Sequence, residues 1–163
     1  MIYLCELYPN IEHLRGNSLQ QRAIVNQFIA WYQNHFRLAL FKPIRLYLGA
    51  AMTQKPILEA HLASLHKDMF DAISLLNDQL ARNKTKFLAG DQLTIADLMF
   101  YYEMTNLILF GLNHDNYPEV KRWFAEVYKV EQVKAITHEW YQVAKDMKTF
   151  FSNVEITKTK PKL

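Results

Sequence analysis

Few residues of this sequence combine a reactive side chain with a spacing that could use it. His61 and His66 could ligate a metal, but five residues apart they do not share one helical face, as two ligands on a helix must, and no metal is expected. Tyr101 and Tyr102 could offer a phenolic acid. No neighbouring base tunes either pKa toward neutrality, so both are expected to pack with Phe100 and Met104. Cys5 is the lone cysteine; it can form no intrachain disulfide, and no cation close in sequence lowers its pKa toward a nucleophilic thiolate. Trp31, Tyr32 and Trp123 read as core or interface aromatics rather than substrate platforms. Lys158, Lys160 and Lys162 could meet an acidic partner, although a short basic tail is ordinarily just solvated. Two groups remain: the pair Thr94 and Asp97, and the set Asn34, Arg37 and Phe41.

Thr94 and Asp97 sit in the stretch KFLAGDQLTIADLMFYY, residues 86 to 102. Gly90 with Asp91 suits a turn after the apolar pair Phe87 and Leu88, because glycine accepts positive φ at little cost. Thr94 then reads as a helix N-cap, its hydroxyl accepting from the Asp97 N–H while the Asp97 carboxylate reaches back to the Thr94 N–H. Leu93 and Leu98 flank this box as a hydrophobic staple, and an aspartate in the first turn meets the positive end of the helix dipole. The local logic is complete without a substrate, so Thr94 and Asp97 are expected to be a structural capping box.

The surrounding elements read as helices. Half of the 163 residues are apolar and 13% aromatic, enough for one sizeable core, while four glycines and five prolines are too few for the frequent turns of an all-β chain. From Ser18, capped by Asn17 or Ser18 itself, apolar residues at Val25, Phe28, Ile29, Tyr32, Phe36, Ala39 and Leu40 describe one face of a long helix that Pro43 should kink or end. A second helix is expected from about Pro56 with Leu58, Leu62, Leu65, Met69, Ile73, Leu76 and Leu80. A third follows Thr94, a fourth begins at Pro118, and helix continues to about Phe151. The fragment at residues 2 to 8 stops at Pro9, too short to be an independent helix, and the chain reads as beginning in mid-element. The ending EITKTKPKL has no apolar period and reads as a solvated tail. A net charge of +3 and a pI near 8.9 fall short of a nucleic-acid footprint, and neither a secretory leader nor an apolar run of membrane length is read. A cytoplasmic location without nucleic acid or membrane partners is expected.

Three stretches carry a resemblance. FLAGDQLTIADLMF looks like the capping-box motif of the all-helical C-terminal domain of cytosolic glutathione transferases. SLQQRAIVNQFIAWYQNHFR is similar to the first long helix of that domain, particularly in the theta class, and YPEVKRWFAEV resembles a later helix. IYLCELY looks like the last helix of the family's preceding thioredoxin-like domain. The resemblance implies an all-α helical bundle of glutathione-transferase C-terminal type over residues 10–151, with 1–9 the remnant of a thioredoxin-like helix and 152–163 the tail.

It also implies a site. At about 100° per residue, Asn34, Arg37 and Phe41 fall on a stripe opposite the apolar face of the first long helix, which in the family borders the cleft between the two domains. Arg37 resembles an arginine that theta-like members place near the anionic end of glutathione or its conjugate. Asn34 falls near a position where many members carry an acid, and would offer a hydrogen bond without that acid's charge. The plainer reading of the stripe, a solvated or dimer-facing surface, stays open beside this one. The family's thiol-activating residue, cis-proline and most glutathione contacts belong to the thioredoxin-like domain, so no catalytic residue is assigned here. The chain alone is expected to be inactive. Two functions follow: the electrophile-binding side of a detoxifying transferase with glutathione as co-substrate, no other cofactor and a possible homodimer; or a non-catalytic scaffold module of the translation-factor type.

Overall fold

The computed structural model describes residues 2–158. Among them run seven α-helices: α1 (Ile2–Leu7), α2 (Leu19–Trp31), α3 (Arg37–Thr53), α4 (Glu59–Asn83), α5 (Ile95–Thr105), α6 (Pro118–Tyr128) and α7 (Glu131–Ser152). Short 3-10 segments follow α1 and α5, and two-residue strands β1 (Ile57–Leu58) and β2 (Ile156–Thr157) pair in parallel. The architecture is all-α, as the periodicity predicts.

Helix α5 is the centre. It packs against α2, α3 and α6, and eight of its eleven residues are buried. That all-round burial explains why its sequence IADLMFYYEMT shows no polar face. The flanking helices each contribute a stripe: Val25 and Phe28 from α2, Met69, Ile73, Leu76 and Leu80 from α4, Val120, Trp123 and Val127 from α6. Tyr101, unexposed, stacks on Phe124 at 4.2 Å between ring centroids. Ser18 caps α2 as expected, its hydroxyl accepting from the Gln21 N–H at 3.1 Å.

Pro43 neither ends nor interrupts the long helix: it lies buried inside α3, which runs to Thr53. The irregularity falls upstream instead, where Tyr32–Phe36 winds as a π turn and the Arg37 N–H reaches the Tyr32 carbonyl. At about 100° per residue, a stripe spaced by four drifts about 40° at each step, so Tyr32, Phe36, Leu40 and Ile44, all buried, would spread over about 120° of a straight helix. A turn closed by an i to i−5 bond takes up one extra residue and removes part of that drift. The packing of Ala39, Leu40, Pro43 and Ile44 then offsets the roughly 3 kcal/mol that an interior proline costs.

Two other boundaries depart from expectation for a single reason. Helix α4 starts at Glu59 rather than near Pro56, and the segment expected to be a solvated tail returns to the fold. Ile57 pairs with Ile156 and Leu58 with Thr157, while the Ile57 N–H donates to the Glu155 carbonyl at 2.8 Å. Val154 packs with Ala50, Ile57 and Leu62. Lys158 is exposed; Lys160 and Lys162 lie outside the described residues.

Candidate functional site

The turn before α5 forms as its residues require. Gly90 has φ +133°, and the Phe87 N–H donates to the Gly90 carbonyl at 2.8 Å, while the Lys86 N–H donates to the Asp91 carboxylate at 3.1 Å. Both halves of the Thr94–Asp97 capping box are present. The Asp97 carboxylate does more than cap. It accepts from the N–H groups of Leu88 and Thr94, each at 2.8 Å, from the Thr94 hydroxyl at 2.7 Å and from the Trp123 indole N–H at 2.9 Å. Complete burial pushes its pKa up, and these four donors oppose the shift. A carboxylate with every partner internal has nothing left for a substrate. Thr94 and Asp97 form a structural hub joining the turn, α5 and α6.

Asn34, Arg37 and Phe41 all face outward; Phe41 is 37% exposed. Asn34 donates one of its two side-chain N–H groups to the Ala30 carbonyl at 2.9 Å, leaving the other N–H and the amide oxygen free. Arg37 donates no side-chain hydrogen bond to any described residue, yet its charge reaches the Glu103 carboxylate and the Tyr32 hydroxyl. Leu38, half exposed, adds apolar surface beside them. The stripe thus presents an unspent guanidinium, an amide oxygen and two apolar side chains, a set able to hold an anion next to an apolar group. A groove of about 580 Å3 opens nearby in sequence, between α2, α4 and the Thr85–Gly90 turn, over Phe28, Trp31, Leu75 and Leu88; Asn34, Arg37 and Phe41 are not among the residues lining it.

The other candidates resolve into packing. Cys5 is buried in α1, and Trp123 is fully buried. His66 packs edge-on to Phe110 at 5.8 Å, and its burial lowers its pKa. Sequence reasoning missed Glu103, which is 7% exposed and accepts from the Tyr32 hydroxyl at 2.7 Å. The available signal was a carboxylate three residues after Phe100 inside an otherwise apolar run, hence on the same face of a buried helix. Burial raises its pKa, against the Tyr32 hydrogen bond, the Arg37 charge and the Asn106 amide. The Tyr32 hydroxyl is likewise raised by burial and by Glu103. Among the described residues no helix is long and apolar enough to cross a membrane.

Comparison with known proteins agrees with this architecture. A family model described as "Glutathione S-transferase, C-terminal domain" matches residues 50–138. Rat glutathione S-transferase theta-2 is 26% identical over 124 residues, covering 76% of this chain and 50% of that protein. Mouse glutathione S-transferase theta-3 is 25% identical over 152 residues, covering 90% of this chain and 62% of that protein. The chain thus spans about half to three fifths of the length of these curated relatives. A human theta-class glutathione transferase, solved in complex with the glutathione conjugate of 1-menaphthyl sulfate, superposes with a TM-score of 0.78 at 23% identity, over 96% of this chain and 65% of that one. At that identity the superposition speaks for the fold alone. With the matched domain spanning more than half of the chain, this protein belongs to the glutathione S-transferase family, by way of that family's C-terminal domain.

Proposed function

We propose that this helical domain supplies the electrophile-binding side of a theta-like glutathione transferase site, with Arg37 holding an anionic group of glutathione or its conjugate. The observation that carries the reading is the Arg37 guanidinium, exposed and without a side-chain hydrogen bond among the described residues, between Asn34 and the apolar surface of Leu38 and Phe41. A carboxylate there would accept a charge-assisted, bidentate pair from Arg37, and Asn34 would add its free oxygen as an acceptor. The apolar pair would hold the hydrophobic electrophile or conjugated group. Glutathione is then the co-substrate, no other cofactor is invoked, and the cytoplasm is the proposed location. Activation of the glutathione thiol to a thiolate has no assigned residue among 1–163; in this reading it belongs to a thioredoxin-like domain.

Two measurements test the reading. The 163-residue chain incubated with glutathione and 1-chloro-2,4-dinitrobenzene should give no conjugation above the uncatalysed rate, and turnover would demand a thiol-activating group here. With a theta-like thioredoxin domain fused ahead of Ile2, Arg37→Ala should weaken binding of S-hexylglutathione about ten-fold or more, since a charge-assisted hydrogen bond contributes about 1.5–3 kcal/mol. Arg37→Lys should recover only part, because an ammonium cannot form the planar fork. Calorimetric titration beside a melting curve decides: unchanged affinity at unchanged stability returns the stripe to ordinary solvated surface.

A further inference from the structure

Helix α7 carries more apolar surface than the fold uses. Val133, Thr137, Ala144 and Phe151 are the side chains it buries in the bundle. A second row, Ile136, Val143 and Phe150, repeats every seven residues and lies open, at 53%, 52% and 49% exposure. Trp140 and Met147, half-buried against the small core of Ile44, Leu109 and Ala144, fill the gaps between them. The combined spacing, alternately four and three, is that of the a and d positions of a coiled coil. It is kept from Ile136 to Phe150, about 21 Å of helix. Single exposed apolar side chains are ordinary on a protein surface, whereas a continuous row marks a place of contact.

The charges of α7 are sorted about this row. Glu139 and Asp146 stand three residues after Ile136 and Val143, about 60° around the helix, and both are exposed with no ion pair among the described residues. Lys134, Lys145 and Lys148 each stand two residues from a member of the row, about 160° away on the opposite flank. Where the row ends, Phe150 borders a hollow of about 310 Å3 shared with Ala50, Pro56 and Val154. We propose that this row is a docking seam for an amphipathic helix of another protein. The partner's apolar a and d residues lie along Ile136 to Phe150, its flanking lysines or arginines meet Glu139 and Asp146, and its last apolar side chain enters the hollow. The alternation of four and three selects a helix, which presents apolar residues at the same spacing. The two acids select a basic flank, and they disfavour the anionic surface of a membrane. A two-fold contact with a second copy would set the patch against itself, bringing these acids toward their own counterparts while the lysines of α7 stay on the far flank. The seam does not depend on the reading of Arg37 as a glutathione contact.

The test is fluorescence anisotropy with the 163-residue chain and a labelled three-heptad peptide that has leucine at a and d and lysine at e and g, beside a twin with glutamate at e and g. Like charges on the flanks keep either peptide from pairing with itself. The chain should bind the lysine peptide about ten-fold more tightly than the glutamate twin, a preference that shrinks as salt is raised. Val143→Ser, at the exposed centre of the row, should weaken binding about ten-fold at an unchanged melting temperature, as truncation of a central interface side chain does. Phe150→Ser should weaken it at the hollow. Glu139→Gln combined with Asp146→Asn should remove the preference for lysine and leave the melting temperature where it was. Equal binding of the two peptides, binding indifferent to Val143→Ser, or no binding of the lysine peptide overturns the proposal. Sedimentation of the chain alone decides the other occupant: a dimer that Val143→Ser separates would assign the row to a second copy and overturn the docking of a basic helix.

Discussion

At the scale of single residues, two buried carboxylates do different work. Asp97 collects four donors from three segments, so its loss leaves the Leu88 N–H and the Trp123 indole N–H buried without partners. Each unsatisfied buried donor costs about 1–3 kcal/mol, whereas loss of an N-cap hydroxyl costs about 0.5–2 kcal/mol. Asp97→Ala should therefore lower the urea midpoint well beyond Thr94→Ala; equal midpoints would mean that the reach to Trp123 is not made in solution. Glu103 has a pH signature of known sign. Burial raises its carboxyl above the ordinary value of 4.5, so the folded chain holds that proton at a pH where the unfolded chain has released it. The stability tied to this group is thus complete below the ordinary value and is lost as pH rises through the raised one. Glu103→Gln removes the loss. The urea midpoint of the variant minus that of the parent should grow as pH rises across this window, and a difference that is flat or falls would contradict the raised pKa.

At the scale of elements, local chemistry was legible wherever neighbours in sequence are partners in space. The Ser18 cap, the Gly90 turn and the Thr94–Asp97 box each involve residues within a few positions of one another, so the sequence displays all the participants. The π turn and the burial of Glu103 were not legible, because the Tyr32–Glu103 contact joins positions 71 apart, and the uninterrupted passage through Pro43 was not legible because its burial inside α3 is not a local property of the sequence. The same limit holds for Arg37: outward placement follows from periodicity, but what stands behind its guanidinium does not. One helix end offers a local test. Helix α4 finishes at Lys84 in the left-handed conformation, φ +52°, with its N–H on the Leu80 carbonyl. An L side chain is disfavoured there by about 1–2 kcal/mol, partly offset by the extra chain entropy that glycine loses on folding. Lys84→Gly should raise stability by about 0.5–1 kcal/mol, visible as a higher urea midpoint with unchanged slope. A lower midpoint would show that this helix ends differently in solution.

At the scale of the whole molecule, the chain's last described residues fasten the connection between its two long helical segments. Helix α3 leads into α4 through residues 54–58, where Gln54 is left-handed and Ile57, 2% exposed, fills the small core formed with Ala50 and Leu62. Those residues could run in several ways between the helices. The returning segment selects one, because the Glu155 carbonyl accepts the Ile57 N–H, Val154 covers the small core, and β2 lies in register with β1. Ending the chain after Asn153 removes the Ile57 N–H to Glu155 bond, the β1–β2 pairing beside it and the apolar cover of Val154. Together these correspond to about 2–3 kcal/mol, from a net contribution near 1 kcal/mol for each backbone hydrogen bond and partial exposure of one aliphatic side chain. The loss should also be local, since Val154 packs on the small core of Ala50, Ile57 and Leu62, a cluster separate from the one that holds Phe100. Hydrogen exchange of the truncated chain should then show the Ile57 amide unprotected, while amides of α5 slow or quicken only with the small change in global stability. If Ile57 stays protected and the midpoint is unchanged, the Ile57–Ile156 pairing is not what fixes the α3–α4 connection. If α5 exchanges as fast as Ile57, the small core is cooperative with the main one, and the C-terminal segment is a part of the fold as a whole.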